Sequence, residues 1–106
     1  MNPARPARTA IRQLNLTCYL VTSGSSRRTA EVAAAAARAG AGIVQVRAKD
    51  LSAAGLLELT LAVAGAVEQA NTATRVVVDD RCDIAFAAMR VGAHVHGVHL
   101  GQEDLP

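Results

Sequence analysis

Short apolar runs alternate with longer alanine- and leucine-rich stretches along this chain. Cys18 to Thr22 reads as a short strand of β-type residues. Ser23 to Ser26, with a glycine inside, predicts a loop that offers helix caps. Thr29 to Ala39 predicts an alanine-dominated helix, which Gly40 ends and after which Gly42 makes the tight return. Ile43 to Arg47 is the second strand. Leu51 and Ser52 resemble a hydrophobic staple and cap for a helix running to about Gln69. Its Leu56, Leu57, Leu59, Leu61, Val63 and Val67 form a broad apolar side. Asn71 and Thr72 mark a turn. Arg75 to Asp79 is the third strand, and its run Val76-Val77-Val78 has the pattern of a strand covered on both faces. Cys82 to about Met89 predicts a short helix closed by Gly92. Val95 to Leu100 predicts the fourth strand. Leu105-Pro106 suits the first turn of a further helix.

Four strands joined by three helical crossovers give an α/β protein of parallel βαβαβαβ order. That is the first half of a (β/α)8 TIM barrel or a small open parallel sheet. The polar residues Gln45, Arg47 and Lys49, then Asp79 and Asp80, then Gln102 and Asp104, all follow the carboxyl ends of their strands. A barrel gathers its chemistry on that rim, and an open sheet does so at its switch point. Neither GxGxxG nor GxxxxGK[ST] occurs, which argues against a nucleotide-binding open sheet. A complete barrel needs roughly 200 residues or more, so the expected domain, residues 14–106, is a partial barrel.

Residues 1–13 carry Arg5, Arg8 and Arg12 around Pro3 and Pro6 without periodicity and read as a flexible basic leader. No long apolar stretch follows it, so neither a secretory signal nor a membrane span is expected. The formal charge of +2 is too small to argue for nucleic acid. With 23 alanines, one tyrosine and one phenylalanine, the core must come from Val, Leu, Ile and Ala. Cys18 and Cys82 lie far apart in apolar surroundings and no CxxC occurs. They read as buried free thiols of a cytoplasmic protein rather than a disulfide or zinc ribbon.

The second strand carries the most distinctive chemistry. Alternate residues of a strand share a face, so Gln45, Arg47 and Lys49 project together while Val44 and Val46 point the other way. Lys49 is the only lysine among 11 basic residues. An amide, a guanidinium and an ammonium at the end of a buried strand suit a polyanion such as a pyrophosphate. Rim residues paired with Asp50 or neighbouring carboxylates would show the same pattern. Asp79-Asp80 and Asp104 end neighbouring strands and can meet at one magnesium ion, which takes one or two protein carboxylates. Asp80 and Asp104 suit helix capping equally well, and Asp83 suits it better. His94 and His96 share a strand face and His99 takes the other, so a zinc site is not expected.

Tyr19-Leu20-Val21-Thr22, Gln45-Val46-Arg47-Ala48-Lys49-Asp50, Val78-Asp79-Asp80-Arg81 and Gly97-Val98-His99-Leu100-Gly101-Gln102-Glu103-Asp104-Leu105-Pro106, in that order, resemble the thiamine-phosphate synthase family. The resemblance runs from about Leu16 to Pro106 and covers the amino-terminal half of that family's barrel. It implies that Gln45 holds an aminopyrimidine and that Arg47 and Lys49 bind the pyrophosphate of hydroxymethylpyrimidine diphosphate. Asp80 and Asp104 would bind Mg2+, and Gln102 would support the rim. The implied reaction couples that diphosphate with hydroxyethylthiazole phosphate to give thiamine phosphate and pyrophosphate. The implied partners are these small molecules, with no nucleic acid or membrane. Asp79 stands where the family usually has an asparagine that contacts pyrophosphate. A carboxylate there would repel the anion unless it turns away or takes a metal.

Two rival readings accompany this one. A thiazole tautomerase-type relative shares the barrel, but the intact Gln45, Arg47 and Lys49 set argues against it. A non-catalytic half-barrel that pairs with another copy or another half is the other. Half a barrel leaves two sheet edges and the inner strand faces uncovered.

Overall fold

A computed structural model describes residues 19–100 of the chain. Seven elements alternate: β1 (Tyr19–Val21), α1 (Arg27–Arg38), β2 (Ile43–Val46), α2 (Ala53–Ala70), β3 (Arg75–Asp79), α3 (Cys82–Arg90) and β4 (Gly97–His99). The strands form one parallel sheet in the order β1-β2-β3-β4. This is the βαβαβαβ arrangement expected for half of a barrel. The leader, Cys18, Gln102, Asp104 and the helix expected at Leu105-Pro106 lie outside the described residues.

Local chemistry sets the ends of the helices. Ser52 caps α2, its Oγ accepting from the Gly55 N–H at 3.1 Å, where Leu51 and Ser52 predicted a cap. Gly40 and Gly92 take φ of 102° and 79°. At each, paired backbone bonds close the preceding helix: Ala41 N to Ala36 O and Gly40 N to Ala37 O after α1, Ala93 N to Ala88 O and Gly92 N to Met89 O after α3. Both are Schellman closures, which need a residue that accepts the left-handed region.

The core lies on one side of the sheet. Val44, Val46, Val76 and Val78 are fully buried and pack with Ala33 and Ala37 of α1, Leu56, Val63 and Val67 of α2, and Ile84 and Ala88 of α3. Alanines along the buried face of α1 let it lie close to α2, against which it packs. The apolar length of α2 is thus spent on a protein core, where its Leu56, Leu59, Thr60, Val63, Ala64 and Val67 are buried. Polar ties fix the layer: Asn71 Nδ2 donates to Ala37 O at 3.0 Å and Thr74 Oγ1 to Ala41 O at 2.6 Å.

Three expectations fail. Among the described residues the third strand is covered on one face only: Val77 is half-buried on the opposite side, where Tyr19 and Val21 of β1 are each 42% exposed. Three consecutive valines cannot report which face a layer covers. The fourth strand starts at Gly97 rather than Val95. Just before it, the His96 N–H donates to Val76 O, and the Val76 N–H donates to His96 Nδ1 at 3.1 Å. A ring nitrogen thus takes a donor that a strand carbonyl would otherwise accept. His94 and His96 therefore lie ahead of the strand rather than along one of its faces. Finally, Cys82 is a free but exposed thiol, not a buried one, because it opens α3 at the helix's outer end.

Candidate functional site

The register of the sheet assembles a row of polar side chains on the face opposite the three helices. Val46 pairs with Val78 and Asp79 with His99, so one residue past the end of β2 Arg47 stands beside Asp79. Neighbouring residues in a parallel ladder put their side chains on the same face. The row Arg47–Asp79–His99 therefore crosses three strands at their carboxyl ends. Arg47 Nε lies 3.7 Å from Asp79 Oδ2 and His99 Nδ1 lies 3.5 Å from Asp79 Oδ1.

One layer deeper sits Gln45, only 4% exposed although no helix among the described residues lies over its strand face. Its Nε2 donates to the Tyr19 hydroxyl across the β1–β2 pair. A buried amide needs partners for its polar atoms, and Tyr19 supplies one. Thr22 fixes the rim from the other side. Its N–H donates to Gln45 O, and its buried Oγ1 accepts the Arg47 N–H at 3.1 Å. The backbone that presents Arg47 is thereby tied to β1.

Lys49 follows in the loop after β2 rather than on the strand itself. It still opens on the same cleft of about 720 Å³ as Gln45, Arg47, Asp79, Asp80 and His99. Asp80 takes φ of 61°, the left-handed region, and its N–H donates to His99 O at 2.8 Å. Asp is one of the few residues with a side chain that visits this region readily. The chain turns there from β3 into α3.

Arg81 and Asp83, also at this end, pair with each other. Arg81 donates through Nε and Nη2 to both carboxylate oxygens of Asp83, at 3.0 and 2.9 Å. That pairing holds the Asp83 carboxyl below its ordinary range and raises Arg81. Asp83 thus belongs to the first turn of α3, as expected, and not to the cleft.

His94 and His96 meet edge to face at the amino-terminal side of the sheet, with ring centres 4.4 Å apart. His94 Nε2 lies 2.7 Å from Thr74 O. Among the described residues no three His, Cys, Asp or Glu side chains stand together as a metal cluster.

The structure therefore brings Gln45, Arg47, Lys49, Asp79 and Asp80 to one cleft. Arg47 also faces the carboxylate of Asp79 on the neighbouring strand, one of the pairings that the alternative reading of the cluster allowed. Gln102 and Asp104 lie outside the described residues. Sequence reasoning passed over Tyr19 and His99 as site residues. The place of His99 beside Asp79 follows from the register between β3 and β4, which no single segment states.

A parallel four-strand α/β layer with cations and carboxylates at the carboxyl ends of its strands is consistent with half of a (β/α)8 barrel. The family model for thiamine monophosphate synthase matches residues 18–106, and the chain belongs to that family. It is 53% identical over 92 residues to the thiamine-phosphate synthase of Corynebacterium jeikeium (strain K411), covering 87% of this chain and 42% of that protein. It is 48% identical over 93 residues to that of Corynebacterium efficiens, again covering 87% and 42%. A thiamine-phosphate synthase of Moorella thermoacetica is 39% identical over 83 residues, 78% of this chain and 36% of that protein. The chain thus spans about two fifths of the length of these curated relatives. No solved structure matches it.

Proposed function

We propose that this chain carries the diphosphate-binding part of a thiamine-phosphate synthase. That transferase joins the pyrimidine group of hydroxymethylpyrimidine diphosphate to hydroxyethylthiazole phosphate and releases pyrophosphate. The observation that supports the reading is the sharing of one cleft by Arg47 and Lys49, from the end of β2, with Asp79 and Asp80, from the end of β3. As the bond from the pyrimidine methylene carbon to the diphosphate oxygen breaks, negative charge collects on the leaving group. Arg47 meets it with a planar, bidentate donor and Lys49 with a mobile point charge. Charges placed before the bond breaks need no reorganisation during the step. Gln45, one layer deeper and fixed by Tyr19, is suited to hold the polar edge of the aminopyrimidine.

The donor set suits magnesium. Asp79 and Asp80 bring hard carboxylate oxygens to the rim, and magnesium takes one or two of these together with water and substrate phosphates. Asp80, with Asp104, would hold the ion. When bound, it supplies further neutralisation of the departing charge. The open face around Tyr19 and Val21 supports pairing of this half-barrel with a second half, whether from another copy or another segment.

Formation of thiamine phosphate from the two substrates, with magnesium present, tests the proposal. Product that disappears in Arg47→Ala supports it. No product at any protein concentration, with pyrophosphate binding that still depends on Arg47, would favour the non-catalytic half-barrel instead.

A further inference from the structure

In the proposed role Arg47 grips an anion, yet the carboxylate of Asp79, 27% exposed, lies within reach of the same guanidinium. Left free, that carboxylate would compete with an incoming phosphate oxygen for Arg47. Two observations bear on how the competition is limited. The contact from Asp79 falls on Arg47 Nε, the stem side of the guanidinium, at 3.7 Å. The other carboxylate oxygen, Oδ1, faces His99 Nδ1 at 3.5 Å. A guanidinium offers five N–H donors in a fixed fork, so with Nε turned to Asp79 the outer Nη edge is left for the cleft.

The position of His99 is not accidental. It is the register partner of Asp79 in β4, and its own carbonyl accepts the Asp80 N–H. Backbone pairing therefore fixes the ring beside the carboxylate. A charged ring, and a neutral ring with its proton on Nδ1, each present a donor towards Oδ1.

We propose that His99 is a positioning residue: it holds the Asp79 carboxylate on the Nε side of Arg47 and so keeps the Nη edge open for a diphosphate. The inference rests on the reading of the cleft as a diphosphate site. It assigns to Asp79, which stands where the family usually has an asparagine, a restrained place beside the cation instead of direct contact with the anion.

Calorimetric titration with inorganic pyrophosphate in excess magnesium tests it, on wild type, His99→Ala, His99→Asn, Asp79→Asn and the His99→Ala/Asp79→Asn double variant. Asn can place a side-chain N–H where Nδ1 stands. His99→Ala is expected to weaken binding about fivefold, the scale of a half-exposed ion pair, while His99→Asn stays within about twofold of wild type on the same scale. In the Asp79→Asn background His99→Ala should have no further effect, because there is no carboxylate left to restrain. That non-additivity is what a merely structural histidine would not show. Equal loss in both backgrounds, or no loss in either, overturns the proposal. If Arg47→Ala binds as well as wild type, the diphosphate reading itself fails, and this inference with it. Melting temperatures of the five proteins separate a positional effect from unfolding.

Discussion

The guanidinium of Arg47 and the carboxylate of Asp79 face each other across β2 and β3, Nε to Oδ2 at 3.7 Å. Both are partly open to solvent. An ion pair in that setting contributes little to stability, but it decides how much positive charge the cleft shows to an anion. Replacing the acid by its amide removes a full negative charge at contact range. Asp79→Asn should therefore strengthen pyrophosphate binding, by about fivefold on the Coulomb energy of two charges 4 Å apart in water. Weaker binding in a titration at fixed magnesium would mean that Asp79 holds the ion rather than opposing the anion.

Asp80 sits at φ 61° where β3 turns into α3. A Cβ in the left-handed region costs roughly 1–2 kcal/mol, and glycine avoids that cost. Asp80→Gly should therefore be more stable to urea than Asp80→Ala, by about 1 kcal/mol on that scale. Both should lose magnesium-dependent pyrophosphate binding if Asp80 holds the ion. Equal stability of the two variants would show that the turn carries no strain.

Thr22 accepts the Arg47 N–H through a buried hydroxyl. Thr22→Val keeps the shape and removes the acceptor, which leaves a backbone donor without its partner and costs about 1–3 kcal/mol. Thr22→Ser should keep the bond. Chemical denaturation of the two variants reads the difference, and a Val variant as stable as the Ser variant would contradict the role assigned to Thr22.

His96 links stability to pH. Partial desolvation lowers its proton affinity below the ordinary value of 6.5, and His94 and Arg75 push it further the same way. The bond from the Val76 N–H to Nδ1 also requires that nitrogen unprotonated. The unfolded chain then binds a proton first as pH falls. The stabilisation is fully present above about pH 6.5 and declines as pH drops from there through the lowered folded-state value. His96→Asn retains an acceptor but does not titrate, so its melting temperature should fall less between pH 7 and pH 5 than that of wild type. An identical pH profile would remove His96 from the account.

Most of the fold was legible because two periodicities alternate cleanly. The alanine run of α1, the Ser52 cap of α2 and the glycines after α1 and α3 state their elements locally. What the sequence could not show was which face of the sheet is covered. Val76-Val77-Val78 is apolar throughout, whereas the structure buries only Val76 and Val78 fully. β4 was read too long because His94-Val95-His96 alternates like a strand, while its ring-to-backbone bonds replace the ladder. Within the cleft, Gln45, Arg47 and Lys49 announced themselves through alternation at the end of β2. His99 did not, because its place beside Asp79 depends on the register between β3 and β4, which no single segment encodes. Cys82 looked buried from its apolar neighbours, although it starts a helix at the exposed rim.

In the proposed diphosphate site, cations from the end of β2 and acids from the end of β3 share one cleft. Titration of inorganic pyrophosphate into wild type, Arg47→Ala and Lys49→Ala, with magnesium present, tests it most directly. The account predicts measurable binding by wild type and a loss of at least about tenfold in each variant, the scale of a hydrogen bond to a charged group. Affinity unchanged by either substitution, in proteins that melt like wild type, would contradict it.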